Sequence, residues 1–377
     1  MWRTFRPDSL SVWKNSDVID TFPRYYDILH NQRKSRYLLA KKLPVDSECY
    51  HKDDIDNWWD DHERIQKDFE VRVKNWDDNP NSIPKNQVSP NYLDLKVKIA
   101  EKIMENCFLC ERRCYVNRYK GKVGYCKVPD YSLIASASLH PGEESVLVPS
   151  GTIFFYGCTF SCVFCQNWDI AQEWKNIKGS YSRSQSIEEL ISIEKNLAQR
   201  EARNLNYVGG DPTPNIANIL KSWQGLNVNI TQLWNSNHYL SNEALDLLVD
   251  IVDFWLPDFK YWENDFAKRM SNIENYQEII TRNLTRCIEI GSGEMIIRHL
   301  CMPGRIEKDT FPIFNWIAKN LIPNGTIMVN IMQQYRPEHL VHSKPEFGDI
   351  NRRMKNEEMQ LAYNKADELG ILWRHVS

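Results

Sequence analysis

Residues 154–172, FFYGCTFSCVFCQNWDIAQ, place Cys158, Cys162 and Cys165 within eight positions, at C-x3-C-x2-C spacing and among aromatics. The run 152–157 just before them is short and apolar and reads as a strand. Thiols this close together in a reducing compartment mean metal more often than disulfide. A closed tetrahedral zinc site, or a cluster ligated wholly by protein, takes four ligands. Three thiols therefore have two readings. They share a structural zinc with a fourth ligand from elsewhere, such as Cys126 or a histidine, or they leave one iron of a cluster open to another group.

The surrounding sequence supplies the frame for that loop. Short apolar strands are expected at 152–157, 205–210, 228–234, 252–259, 295–301 and 326–332. Amphipathic helices are expected between them at 186–201, 241–252, 274–290 and 309–321, with Ser186 and Ser241 as N-caps. Six such units in series predict an α/β fold with a parallel sheet and helices outside, either open or curled into a partial barrel. Chemistry in these folds gathers at the C-terminal ends of the strands. Cys158, then 209–214, 235–237 and 258–260, all fall at such ends.

The three-cysteine loop, with Phe164 before its last thiol, resembles the signature of the radical S-adenosylmethionine (SAM) superfamily. GGDPTP (209–214) resembles that family's GGEP motif, with Asp211 where glutamate is commoner, and PDFK (257–260) and IIRHLCMPG (296–304) resemble segments of glycyl-radical-enzyme activases. FCQNWDI, GGDPTP, WNSN, LPDFKYW and RHLCMPG occur in that order, as in a subgroup similar to pyruvate formate-lyase activating enzyme. The match covers roughly residues 105–335 and leaves out 1–85. It implies a partial (β/α)6 TIM-like barrel, a 4Fe-4S cluster on Cys158, Cys162 and Cys165, and S-adenosyl-L-methionine at the open iron. It further implies cofactor contacts from Gly209, Gly210, Asp211, Asn235, Ser236, Asp258, Lys260 and Arg298. Asn235 stands where a carboxylate is more usual. Lys260 offsets the SAM carboxylate or simply pairs with Asp258. Because side chains alternate along a strand, Arg298 is assigned to the interior and His299 to packing against helices. Cys287 and Cys301 are expected to be core.

Cys107, Cys110, Cys114 and Cys126 form a second group, C-x2-C-x3-C-x11-C, sufficient to close a site unaided. Zinc and a second iron–sulfur cluster both satisfy that count. The basic residues around it, from Arg112 through Arg118 to Lys122, read as a solvated patch. Residues 1–85 hold many of the 13 tryptophans among dense charges and read as a helical, Trp-rich extension, either a docking surface or lid or a wrap that buries its indoles on the barrel. The proline-containing run 77–91 reads as a linker. The expected organisation is thus 1–85 extension, 86–150 linker helix and cysteine segment, 151–335 barrel, and 336–377 helical or strand extension.

With 47 basic and 50 acidic residues, 42% hydrophobic content and no apolar run long enough to span a bilayer, nothing favours a nucleic-acid or membrane partner. A cytoplasmic protein is expected. Two functions compete. One is a radical SAM enzyme abstracting hydrogen from a protein, peptide or small molecule, served by an electron donor such as flavodoxin or ferredoxin. The other is a non-catalytic zinc-binding interaction protein, which leaves the strand-end motifs unexplained.

Overall fold

Seven strands form one sheet in sequential order: β1 (Ile134–His140), β2 (Ser150–Phe155), β3 (Asn204–Gly209), β4 (Thr231–Ser236), β5 (Phe254–Pro257), β6 (Met295–Leu300) and β7 (Ile327–Met332). The structure, a computed structural model, describes residues 2–52, 54–173, 185–291 and 293–376. β1 runs antiparallel to β2, and every later pair is parallel. β1 and β7 are the two edges, so the barrel is partial. β1 was not anticipated, because IASASLH alternates small and polar residues with only alternate burial.

Helices cover the outer face of the sheet. Ile187–Gln199 opens with a capping box between Ser186 and Glu189, and Ser241 caps Asn242–Asp246 through the Ala244 amide. That second helix is shorter than the expected 241–252, because Leu247–Val252 continue as buried turn. Ile216–Gly225, Tyr276–Ile290 and Phe311–Asn320 complete the outer layer alongside Asn264–Ser271. After β7 the described chain contains helices and no strand, so the C-terminal extension is helical only.

Inside the barrel, Leu233, Phe254, Leu256, Ile296 and Met328 point inward from successive strands. Val12, Val18, Phe22 and Tyr25 of the N-terminal extension pack directly onto them, with Val146, Leu147 and Val376. The extension therefore floors the barrel as well as wrapping it. Each fully buried aromatic contributes about 2 kcal/mol of burial free energy. Glu294, at the foot of β6, receives the Arg24 amide at 2.6 Å and the Tyr25 amide at 2.9 Å, pinning the start of the Pro23–Leu29 helix.

The long helix Ile55–Asp78 lies outside and buries Trp58 and Trp76. Beside it a buried set joins the Tyr92–Met104 helix to the barrel. Lys96 Nζ sits 2.8 Å from Asp250 and 2.8 Å from His62 Nε2, and the Tyr92 hydroxyl donates to Asp250 at 2.7 Å. Residues 77–91, expected as a linker, are tied back to the extension, Val88 N–H donating to the Lys41 carbonyl and Val45 N–H to that of Pro90.

Burial pushes the Glu294 carboxyl up to about 8, outweighing the two amides that favour its charged form. Its folded value exceeds its unfolded value, so the native state holds the extra proton between roughly pH 4.5 and pH 8. Stability from this group is full below that window and is lost as pH rises through it. Chemical unfolding across pH 5 to 8 should show that loss, and Glu294→Gln should flatten the slope by up to one proton. An unchanged slope in the variant would remove Glu294 from the account.

Candidate functional site

β2 ends at Phe155, and the chain turns through Gly157 into the three-cysteine loop. The loop is fastened to the end of the Asn264–Ser271 helix. Ser161 N–H donates to the Ser271 carbonyl and Val163 N–H to that of Met270. Around the thiols, Ser271 Oγ donates to Cys162 Sγ at 2.9 Å, the Phe160 amide to Cys158 Sγ at 3.3 Å, and Gln172 Nε2 to the Cys162 carbonyl at 3.0 Å. Burial pushes all three thiols up, Cys165 to about 12, and neighbouring thiols add to the shift for Cys158 and Cys165. Lys260 offsets part of it for Cys162. Such a donor set stays ionised when it faces a strongly cationic group. Among the described residues no three Cys, His, Asp or Glu side chains converge on a single-ion position. Three neighbouring thiols, each able to serve a different iron, are a donor set that suits a multi-iron cluster.

The ends of β3, β4 and β5 face this loop. Gly209 has φ +127°, and a Cβ there would lie 2.2 Å from the Phe155 nitrogen; one on Gly210 would lie 2.0 Å from the Gly157 carbonyl oxygen. These glycines let GGDPTP press against the backbone that launches the cysteine loop. Asp211 accepts from Thr159 Oγ1 at 2.9 Å and from Thr213 at 3.3 Å, and burial pushes its carboxyl up to about 7. Asn237 Nδ2 donates to Thr159 Oγ1 at 2.8 Å and lies 3.8 Å from Cys158 Sγ. Lys260 pairs with Asp258. Burial lowers the Lys260 ammonium, but the charges of Asp258 and Cys162 together raise it further, so it stays a cation. Ser236 accepts the His238 amide and thus shapes the turn after β4.

Beside the loop a cavity of about 810 Å³ opens into the barrel, with Phe154, Val208, Asn235, Arg298 and Asn330 on its strand walls. The β1–β2 connection adds Glu143 and Glu144. Arg298 donates from Nε and Nη2 to both Glu144 oxygens at 2.7 Å, and also to Glu143. Its Nη1 donates to Asn235 Oδ1 at 3.3 Å, while Asn330 Nδ2 donates to Glu144 at 2.7 Å. Burial raises Glu144, but the Arg298 charge and hydrogen bonds overcome this and leave the carboxyl below its ordinary range.

The expected interior face of Arg298 is thus found, while His299 points to the helices, bonding the Phe259 carbonyl and Thr310. Cys287 and Cys301 are fully buried. Asn237 falls in the strand-end run 235–237, whereas Thr159, Glu143, Glu144 and Asn330 are residues that the sequence reading did not single out. The only signal for Glu143 and Glu144 was the turn-like HPGEES (140–145), and adjacent acids after a Pro–Gly are ordinarily surface.

The four-cysteine segment buttresses the same loop. Cys110 bridges to Leu240 after β4, and Arg112 Nε donates to the Thr159 carbonyl at 3.0 Å. The Tyr125 hydroxyl donates to Ser161 Oγ at 2.6 Å. Arg118 is not part of a solvated patch: it is buried and donates to the Pro214 carbonyl at 2.7 Å, tying this segment to the GGDPTP turn. Burial pushes Cys126 up to about 11 and Cys110 well up, with the other thiols of the group contributing.

A family model described as the radical SAM superfamily matches residues 152–317. The uncharacterized protein MJ0674 of Methanocaldococcus jannaschii is 40% identical over 350 residues, spanning 92% of this chain and 97% of that protein. Among solved structures, Streptococcus suis SuiB bound to its precursor peptide SuiA is 9% identical, over 58% of this chain and 45% of SuiB, with a TM-score of 0.40. A domain of pyruvate-formate lyase-activating enzyme from Bacteroides vulgatus is 18% identical, over 45% of this chain and 96% of that domain, with a TM-score of 0.34. The match spans less than half of SuiB, and at these TM-scores neither likeness carries weight. Among the described residues no helix is long and apolar enough to cross a membrane. The matching family model, and the three-cysteine loop at the end of β2 that lies within its span, show that the chain belongs to the radical SAM superfamily.

Proposed function

We propose that the protein is a radical SAM enzyme that abstracts hydrogen from a substrate seated in the barrel cavity. The observation that supports this is the three-cysteine loop at the end of β2, fastened through Thr159 to Asp211 after β3 and to Asn237 after β4. A 4Fe-4S cluster and SAM held there would supply one-electron, radical-generating chemistry. The chain's own residues bind, orient and exclude water. Cys158, Cys162 and Cys165 would hold the cluster, with Ser271 and the Phe160 amide directing hydrogen bonds at the sulfurs. The turn at Gly209, Gly210 and Asp211, with Ser236 beside it, would take the amino end of SAM. Lys260, kept cationic by Asp258, would face its carboxylate. Asn235 and Arg298 would meet the nucleoside side.

The four-cysteine segment is proposed as a second metal site, zinc or a second cluster, and metal analysis of the purified chain distinguishes them. A cytoplasmic setting and a flavodoxin- or ferredoxin-like electron donor belong to the same proposal. The motif resemblance to activating enzymes keeps a protein substrate in view.

The test is 5′-deoxyadenosine formation by anaerobically reconstituted, chemically reduced protein. Wild type should form it, and Cys162→Ala should lose it by orders of magnitude together with cluster absorbance. An iron-loaded wild type that forms no more than the variant would overturn the proposal.

A further inference from the structure

The chain after β7 folds back over the three-cysteine loop. Leu340 N–H donates to the Val163 carbonyl, and the Phe164 and Tyr335 ring centres lie 5.7 Å apart. A second groove, of about 650 Å³, lies between this segment and the loop. Tyr335 and Met354 line it as buried residues, and Gln166, Gln334, Arg336 and Arg353 as exposed ones. No lining residue is acidic. Arg336 donates from Nη2 to Gln166 Oε1 at 3.4 Å, and the Arg353 guanidinium has no partner among the described residues. Acids close by in sequence are already paired, Asp349 with Arg269 at 2.6 Å and Glu358 with Arg352 at 2.7 Å, while Glu338 lines no part of the groove. The larger cavity differs, since there Arg6, Arg298 and Arg374 each have a carboxylate. Exposed cations add little affinity and act mainly on encounter rate. That favours a transient anionic partner over a tightly held small anion.

A second observation is independent of charge. Cys162 is buried, whereas Cys158 and Cys165 are partly exposed. Cys158 lies on the side of the strand ends, where its neighbour Thr159 meets Asp211 and Asn237. Cys165 lies on the side of the groove. The next residue, Gln166, lines the groove, receives Arg336, and donates from Nε2 to the Gln334 carbonyl at 3.4 Å. The groove is preformed there, because the Tyr335 hydroxyl donates to the Ile350 carbonyl at 3.0 Å and fixes the segment.

We propose that this groove is the docking face for a small electron-transfer protein whose redox group is ringed by carboxylates. Arg336 and Arg353 steer that acidic face onto the groove, and the electron enters on the Cys165 side of the cluster. One electron leaves the donor and reduces the cluster by one, with no bond made or broken. Redox encounters of this kind bury little surface, so a few uncompensated cations at the point of entry suffice. The proposal rests on the radical SAM reading for the cluster and adds the face on which its donor docks.

The test uses the cluster-loaded full chain with SAM present, and an acidic 2Fe-2S ferredoxin and an acidic flavodoxin as probes. Anaerobic stopped flow follows the loss of cluster absorbance on mixing with reduced probe, and calorimetry follows binding of the oxidised probe. At least one probe should reduce the cluster, at a rate that falls steeply as salt is added. Arg336→Glu with Arg353→Glu should slow that reduction roughly tenfold or more at low salt and weaken binding, while reduction by dithionite stays unchanged. Lys120→Glu with Lys122→Glu reverses as much exposed charge on the four-cysteine segment and should leave the rate at the wild-type value. A wild-type rate in the arginine variant, equal slowing in the lysine variant, slowing that dithionite shares, or reduction by neither probe overturns the proposal. Inorganic phosphate that blocks the probe at an ionic strength where chloride does not would make this a small-anion site, and overturns it too. Normal reduction without SAM cleavage would count against the reaction only. Should no cluster form, the radical reading fails by itself, and probe binding to the iron-free chain still decides the groove.

Discussion

Replacing Arg298 by methionine is expected to destabilise the fold by about 3–5 kcal/mol, the range for removing one partner of a buried ion pair. Two carboxylates that are almost wholly buried would lose their shared cation. Solvent can do little for Glu144, whose side chain is 1% exposed, and only partly rescues Glu143, which borders the cavity. The acids would instead take up protons, so the loss should be largest at alkaline pH and smaller in acid. Arg298 is itself buried, and burial lowers its affinity for a proton; Glu144 and Glu143 reverse that and hold it above its ordinary range. The three groups therefore stand or fall together, and their effects should not add. Adding Glu143→Gln and Glu144→Gln to Arg298→Met should restore most of the stability, since a neutral cluster carries no uncompensated charge. Urea unfolding of the single and triple variants checks this. A single variant as stable as wild type would show that water already reaches the acids.

That cluster also shows where sequence reading stops. Six of the seven strands are legible because each is a short apolar run between turn signals. The cysteine loop is legible because its chemistry is local: three thiols within eight residues need no tertiary information. Arg298 could be assigned to the interior from alternation with His299. Its partners could not, since Glu143 and Glu144 lie about 155 residues away in a turn whose composition reads as surface. The floor of the barrel has the same character. Val18, Phe22 and Tyr25 look like one face of a short helix, and only the fold shows that this face enters the barrel against Phe254 and Leu256. Glycines gave half of their meaning: GGDPTP marked a close approach, but what approaches is the β2 backbone as well as any ligand.

That close approach makes Gly209→Ala a strongly damaging small substitution in the site. The new methyl would lie 2.2 Å from the Phe155 nitrogen and 2.3 Å from its carbonyl oxygen, and both are backbone atoms that no rotamer change can move. The φ of +127° is besides a region that residues with a Cβ rarely adopt. Overpacking costs about 1–3 kcal/mol and the strained backbone about another 1–3 kcal/mol. Relief requires β3 to pull away from β2 at their shared C-terminal end, where Gly210 N–H donates to the Phe155 carbonyl at 2.9 Å. Phe155 is three residues before Cys158, so the displacement passes straight into the cysteine loop. The expected result is a chain that melts lower and takes up clearly less iron at the three-cysteine site on reconstitution, its iron–sulfur absorbance falling accordingly. Gly304→Ala is the control. Its φ of +70° is also strained, but nothing lies within 4 Å of the added methyl, so it should lose stability alone and keep its iron. If Gly209→Ala retained wild-type iron content while Gly304→Ala did not, the β2–β3 junction would not be what holds the cysteine loop in place.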